Sequence, residues 1–491
     1  MKKIAVIGSG YSGLTCAALL AKQGYNVELF EKHSVLGGYG DGFEKKGFTF
    51  HTSVYRFPST VYTILDQVLD LTYDNFLYYY MQYHINDRKI LIDDDLLNVL
   101  RREFPHQRVN VEQFKEKMND VLDILNEIDQ SGGNILSISV ERLKEYLIFT
   151  KRTIETVLIE FFGEDALFAN VFYALFDLTA DMSAITIPAT LCVGKDTPEN
   201  KMVFGGGKQV IADLETLFLQ FEGTIHRRKE VSATLIDDGS LTELQFKNGE
   251  TYSNFDYVVW ANDYNNFYRL NNEQYWNPKL RNDFIPSSSS FGIWLGLDQP
   301  FESLGISETY HSIYIGDRTF YSKVAQQKIP VETEFLMVSF LYSKDSKSTP
   351  ENKSQLCLGF AMNFDFMKEC QTHGIYKDVK KEIEELFIAL LKEYFPIIDE
   401  TKVICKASAT PLTYERYTHN RKGSMYGFEK KQEFVISSQR HETTNTSIKN
   451  LFFCSQWTSI AGGTYGAVKE GIRAANHILS LDNKETYQYQ E

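Results

Sequence analysis

The chain opens on a short apolar run, Ile4-Ala5-Val6-Ile7, then a glycine turn, then Ala17, Leu20 and Gly24 at positions that keep a helix packed on a sheet. This pattern predicts a buried strand leading into a helix, with a second strand over Asn26 to Phe30. Gly47-Phe48-Thr49-Phe50 ends the opening unit, and an aromatic stretch containing Tyr78-Tyr79-Tyr80 follows. Apolar positions at helical spacing predict helices from about Asp93 to Ile128, interrupted at Pro105, and again from Val140 to Leu178, where the Phe and Leu content reads as buried core.

Met202-Val203-Phe204-Gly205-Gly206-Gly207 predicts a short strand and a turn into a helix from Gln209 to Phe221. Apolar runs between the turn signals Asp238-Gly239 and Asn248-Gly249 predict strands at Thr224 to Arg228, Val231 to Ile236, Leu241 to Phe246 and Tyr257 to Ala261. These strands are expected to complete the sheet begun at the N-terminus. A second unit from Tyr264 to about Tyr426 carries strands at Phe291 to Leu297 and Glu334 to Tyr342. It also carries an amphipathic helix, Asp378 to Tyr394, stopped by Pro396 and read as core rather than membrane anchor. Leu451 to Cys454 reads as a buried strand, and glycines precede a last helix from about Ala467 to Leu479.

With 491 residues, 43% apolar and 24% charged, the chain can bury a large core and is expected to form more than one domain. A net charge of -14 argues against nucleic acid as a partner, since phosphate neutralisation needs an excess of Lys and Arg on some face. The six cysteines have no close pair, so they predict reduced thiols in a cytoplasmic protein and neither a zinc site nor disulfides; no metal is expected. The N-terminal residues have no secretory pattern, and the longest apolar stretches fall far short of the roughly 20 residues of a membrane span. Any membrane contact is therefore expected to be peripheral.

The chemistry begins at Gly8-Ser9-Gly10-Tyr11-Ser12-Gly13, a G-x-G-x-x-G in the strand-to-helix context that binds dinucleotides. Gly8 permits the tight turn, Gly10 lets the backbone approach a pyrophosphate, and Gly13 lets the helix pack close. Glu31 ends the second strand, where a carboxylate accepts ribose hydroxyls and repels a 2′-phosphate, which favours FAD or NAD over NADP. Near the other end, Gly462-Gly463-Thr464-Tyr465-Gly466 precedes a helix and offers backbone N–H groups where a reduced flavin gathers negative charge.

Gly37-Gly38, placed after Glu31, resembles the extended motif of FAD-binding members of the glutathione-reductase and amine-oxidase superfamily, and this resemblance selects FAD. Nearly the whole chain then resembles the phytoene desaturase, carotenoid isomerase and retinol saturase family. The pieces, in order, are the opening motif, Phe204-Gly205-Gly206-Gly207, Val258 to Asp263, Ser289 to Leu297, Ala409 to Thr413 with Tyr417, Gly423 to Gly427, and the closing glycine segment. Tyr39 stands where desaturases of the family carry an Arg, His51 where the family commonly has Asp, and Ser455 where Gly is usual. The isomerase and saturase branch often lacks that Arg as well.

The resemblance implies an α/β fold with a Rossmann-type FAD-binding domain assembled from 1–75, 195–263 and 430–485, and an inserted α+β substrate domain from 76–194 and 264–429. FAD is expected to be held by Gly8, Gly10, Tyr11, Ser12, Gly13, Glu31, Lys32, Gly37, Gly38, Tyr39, Val231, Gln456, Trp457, Gly463, Thr464, Tyr465 and Gly466, with Trp457 beside the isoalloxazine. The implied substrate is an apolar polyene or isoprenoid, changed at carbon–carbon bonds by saturation or cis-trans isomerisation ahead of desaturation, with an electron donor or acceptor as partner. His51, Tyr55, Arg56, Glu415 and Tyr465 are the candidates for proton transfer, with Glu415 and Arg416 read rather as a solvated or structural pair. His51 either points at the flavin or supports a loop. Two rival readings remain: a flavin amine oxidase, with Lys208 holding a water, and a scaffold in which FAD is structural.

Overall fold

The opening strand Lys3–Ile7 lies at the centre of a five-stranded parallel sheet ordered Leu451–Phe453, Tyr257–Trp260, Lys3–Ile7, Asn26–Phe30, Thr224–His226. The computed structural model describes residues 1–53, 57–85, 88–93, 95–130, 136, 138–176, 180–188, 200–271, 285–306, 310–316, 336–398, 400–431, 446–458 and 462–490. Strands buried on both faces need helices on both sides, which explains their near-continuous apolar sequence. The helix Tyr11–Lys22 is buried from Tyr11 to Ala21 and packs against the closing helix Gly463–Leu481. A Cβ at Gly471 would sit 2.6 Å from the Ser12 carbonyl oxygen, so this glycine sets how closely the two helices approach.

Of the four strands expected to complete this sheet, only the first and last join it. Val231–Asp237, Ser240–Phe246 and Thr251–Ser253 form a separate three-stranded antiparallel sheet. The turns at Asp238-Gly239 and Asn248-Gly249 make hairpins, and hairpins pair their strands with each other before any parallel partner.

The second layer is a mixed eight-stranded sheet. It runs Val403–Ala409, Ser289–Leu297, Ser354–Met362, Leu336–Ser339, Tyr310–Gly316, Phe76–Ile85, Arg88–Ile92, and Asn200–Val203 also pairs with Phe76–Ile85. The strand expected over Glu334 to Tyr342 ends at Ser339, where the chain turns through Leu341–Lys344 with the Ser343 N–H donating to the Phe340 carbonyl at 2.9 Å, and buried Asp345 accepts from the Lys347 N–H at 2.9 Å; Glu334 and Phe335 lie outside the described residues. The amphipathic helix Tyr376–Tyr394 buries Ile383, Phe387, Leu390 and Leu391 on this sheet, with Phe387 stacked on Phe360 at 3.7 Å.

Helices Leu96–Glu103 and Arg108–Gln130 break at Pro105 as expected, and Val140–Thr150, Ile154–Phe162 and Ala166–Phe176 follow. Ile154, Val157, Leu158, Phe168 and Phe172 are core. Val140, Ile148 and Ile159 are not: they are 64%, 55% and 48% exposed, on the outside of a segment expected to be buried. Cys16, Cys357, Cys370, Cys405 and Cys454 are free thiols, and Cys192 lies outside the described residues.

Candidate active-site cleft

A cleft of about 1920 Å³ runs between the two sheets. Its floor is the glycine turn. A Cβ on Gly8, whose φ is 108°, would meet the Ala261 carbonyl oxygen at 2.9 Å, and one on Gly13 would lie 2.0 Å from the Gly8 carbonyl oxygen. Gly10 differs: it begins the helix, and a Cβ there would meet no protein atom within 4 Å. Gly8 and Gly13 are therefore demanded by the fold, while Gly10 keeps open the space in front of the helix N-terminus, where backbone N–H groups and the helix dipole favour a pyrophosphate.

Glu31 is buried at the end of its strand. Its Oε2 accepts from the Ser9 N–H (3.1 Å) and the Ser9 hydroxyl (2.5 Å), and its Oε1 from the His33 N–H (2.9 Å). The Ser9 Oγ in turn accepts from the Gly37 N–H at 3.2 Å. Ser9, the position between two glycines, thus ties the Glu31 carboxylate to the glycine pair. The pattern alone did not mark it, because any small residue satisfies G-x-G. Lys32 lines the cleft beside it, with burial lowering its ammonium to about 8 against the opposing pull of Glu31 and Glu230. Val231 lines the same end, and Glu230 pairs with Lys247 at 2.6 Å.

The opposite wall is the start of the closing helix. Gly462 and Gly463 take φ of 65° and 59°, which turns the chain so that Gly463, Thr464 and Tyr465 face the cleft. Gly466 is buried, and its N–H is spent on the Gly462 carbonyl at 2.9 Å, so it is part of the helix rather than of the wall. Segment 419–426 crosses between the walls. It is held by the Tyr39 hydroxyl at the Gly423 and Ser424 carbonyls (3.0 and 2.9 Å), by Ser289 Oγ at the Gly423 carbonyl (2.8 Å) and by Gln456 Nε2 at the Ser424 carbonyl (3.3 Å). Beyond this strap, Tyr83, Met337, Gly359 and Ala361 of the second sheet and Tyr173 and Met182 of the helical segment continue the cleft as a largely apolar slot.

Several expected site residues lie elsewhere. Trp457 is 1% exposed and is not on the cleft wall. Its indole N–H donates to Asn420 Oδ1 at 2.7 Å, and the Arg421 guanidinium lies 4.4 Å over its ring, so it anchors the strap from beneath. His51 is also buried away from the cleft. Its ring stacks on Tyr342 at 3.8 Å, its Nε2 is 3.0 Å from Ser348 Oγ, and burial, followed by the Lys208 charge, lowers its pKa to about 3. Of its two readings, the loop-supporting one matches this position. Tyr55 and Arg56 lie outside the described residues. Lys208 pairs with Glu44 at 3.6 Å and does not line the cleft. Glu415 lines the cleft and accepts from the Lys422 N–H at 3.0 Å, while Arg416 donates to the Tyr417 hydroxyl at 3.0 Å, so each has its own partner. Among the described residues no cluster of His, Cys, Asp and Glu could hold a metal ion.

The open space at Gly10, the carboxylate at Glu31 and the helix N-terminus at Gly463 facing the cleft fit a dinucleotide whose far end reaches the second wall. Residues 11–479 match the family described as flavin containing amine oxidoreductase, and the chain belongs to that family. A 4,4'-diapophytoene desaturase (4,4'-diapolycopene-forming) from Methylomonas sp is 22% identical, over 98% of this chain and 96% of that protein. An all-trans-retinol 13,14-reductase from Rattus norvegicus is 22% identical, over 96% of this chain and 85% of that protein. An oxidoreductase from Methanosarcina mazei shares the fold, with a TM-score of 0.62 at 18% identity, covering 98% of this chain and all of that one. The cofactor is FAD, and the protein is an enzyme of this FAD-dependent oxidoreductase family.

Proposed function

We propose that this member of the family acts on carbon–carbon double bonds of a conjugated polyene or isoprenoid lipid, by saturation or cis-trans isomerisation ahead of desaturation. The observation that carries the reading is the continuity of the cleft, which runs from the glycine turn past Gly463 into a slot walled by Tyr83, Met337, Gly359 and Ala361. An extended apolar chain laid in that slot loses water along its length, and burial of this kind supplies both affinity and alignment. The relatives named for a desaturase and for a retinol reductase support the same substrate class.

Bound FAD would supply the hydride acceptor or donor. This chain's residues bind and orient: Glu31, Gly10 and the Gly463 helix start hold the cofactor, the strap covers it, and the sheet face aligns the polyene. For proton transfer the candidates that line the cleft are Tyr465, whose hydroxyl accepts from Lys469 Nζ at 3.2 Å, and Glu415, whose carboxylate accepts from the Lys422 N–H at 3.0 Å. Tyr39 in place of an Arg supports the saturase or isomerase direction. The amine-oxidase reading needs a lysine-held water in the cleft, and Lys208 outside it counts against that.

We place the enzyme in the cytoplasm with peripheral membrane contact through the outer face of Val140–Thr150, where Val140, Lys144, Leu147, Ile148 and Lys151 share one exposed helical face. Among the described residues no helix is long and apolar enough to cross a membrane.

The deciding experiment mixes the anaerobically reduced holoenzyme with a retinoid or short carotenoid and follows both absorption bands. Reoxidised flavin with a polyene band moved to shorter wavelength supports saturation. A changed polyene with flavin still reduced supports isomerisation. No polyene change in either direction, tested also with oxidised enzyme and a less conjugated substrate, ends the reading.

A further inference from the structure

The closing strand delivers a buried hydroxyl to the cofactor end of the cleft. Phe453 is the register partner of Trp260, and Trp260 of Ile7, so Ser455 leaves the sheet at the same edge as the Gly8–Gly10 turn. The Cys454 thiol spans the gap between them, donating to the Ser12 carbonyl at 3.7 Å. Ser455 is 5% exposed and lines the cleft. Its N–H donates to Thr458 Oγ1 at 3.2 Å, its carbonyl accepts from the Thr458 N–H at 2.9 Å, and its Oγ accepts from the Trp457 N–H at 3.2 Å. Among the described residues, only its hydroxyl proton is left without an acceptor. Ser12, in the first turn of Tyr11–Lys22, is also 5% exposed on the cleft wall, and its hydroxyl has no partner among the described residues. No side chain caps that helix.

We propose that Ser455 and Ser12 are cofactor-binding residues whose hydroxyls donate to the FAD pyrophosphate, one from the segment after the closing strand and one from the first turn of the helix. The inference concerns the cofactor and does not rest on the polyene reading. Backbone N–H groups at a helix start point along its axis, so they satisfy only the phosphate oxygens that lie ahead of it. The remaining oxygens lose water when the cofactor is seated, and a charged oxygen buried without a donor is costly. A buried hydroxyl with an unspent proton has the complementary deficit, and pairing the two forms a charge-assisted hydrogen bond. The Trp457 N–H occupies one lone pair of Ser455 Oγ, which restricts where its proton can turn. A glycine at 455 would offer no such donor. The first and last segments of the chain then grip the same group of the cofactor.

The test reads the cofactor and not turnover, in the native protein, Ser12→Ala and Ser455→Ala. Flavin fluorescence after dilution follows the release of FAD from each holoenzyme, and phosphorus NMR of the bound FAD reports on the two phosphorus atoms directly. The apoproteins are titrated with ADP and with adenosine, which share the adenine and ribose and differ in the diphosphate. Each variant is expected to lose about ten-fold or more in affinity for FAD and for ADP, to bind adenosine as the native protein does, and to move at least one phosphorus resonance. Ser12→Ala removes a hydroxyl that no described residue uses, so its apoprotein should melt at the native temperature. Ser455→Ala also frees the Trp457 N–H, so its cofactor effect is read as the loss of the rise in melting temperature that added FAD produces. A variant with native ADP affinity and unmoved resonances strikes its residue from the assignment. A loss for FAD without one for ADP would put the hydroxyls on the flavin half, and equal losses for ADP and adenosine would make them structural; either overturns the proposal. If the native apoprotein binds no FAD at all, the cofactor assignment fails instead.

Discussion

The Tyr39 hydroxyl lies 2.9 Å from the Ser424 carbonyl oxygen, so the residue following the glycine pair is bonded to the strap across the cleft. Burial raises the phenol's pKa, so it remains a donor through the physiological range, and the Gly423 carbonyl shares its proton at 3.0 Å. Tyr39→Phe removes that donor and leaves the rest of the packing in place. The loss should be about 1 kcal/mol, or several-fold in the rate at which FAD leaves. Recovery of flavin fluorescence after dilution measures it. A native-like release rate would mean that the strap is held by its other bonds alone.

Gly10 and Gly13 stand three residues apart and should fail in opposite ways. Gly13→Ala puts a Cβ 2.0 Å from backbone, which requires strand and helix to separate, at a cost of about 3 kcal/mol or more in stability. Gly10→Ala meets no protein atom within 4 Å, so its apoprotein should melt at the native temperature while FAD affinity drops. Thermal melts with and without added FAD separate the two effects. A destabilised Gly10→Ala apoprotein would show that the space in front of the turn is not reserved for a ligand.

His51 makes a prediction in pH. Its pKa is lowered to about 3 in the fold, against 6.5 when free, so the unfolded chain binds a proton in that interval and the folded one does not. The contribution is complete above pH 6.5, and it is lost as the pH falls toward 3. His84 and His419, each lowered to about 4, act in the same direction. His51→Gln should flatten the acid limb of the stability profile by on the order of 1 kcal/mol per pH unit. It should leave the pH dependence of turnover above pH 6 unchanged. Urea unfolding at a series of pH values reads the first effect, and a new limb in the rate profile would return His51 to the chemistry.

How much of this was legible in the chain depended on how local each signal is. The strand, glycine turn and helix at residues 3–22 follow from neighbours in sequence, and each glycine's steric reason reappears in the fold. The three-stranded sheet was missed because propensity marks a strand and not its partner, and two tight hairpin turns pair those strands among themselves. Trp457 and Gly466 sit inside a recognisable motif, yet one points into the core and the other is consumed by the helix. Motif membership cannot distinguish a residue that faces the cleft from the one beside it. Ser9 and Asp345 carried no pattern, since their roles come from contacts made across 22 and 140 residues of chain.

The exposed face of Val140–Thr150 carries the last prediction. Val140, Leu147 and Ile148 recur at the spacing of one helical face and are 64%, 36% and 55% exposed, and Lys144 and Lys151 lie on the same face. Lysines flanking apolar side chains suit an anionic lipid surface, because the stems bury while the ammonium groups reach the headgroups. Each of these partly exposed apolar side chains contributes about 1 kcal/mol when taken from water, so Val140→Ser, Leu147→Ser and Ile148→Ser together should weaken binding to vesicles containing phosphatidylserine by on the order of 100-fold. The melting temperature should hardly move, since these positions add little to the core. Sedimentation of the holoenzyme with such vesicles reads the binding. If the triple variant sediments as the native protein does, lipid-borne substrate must reach the slot by another face.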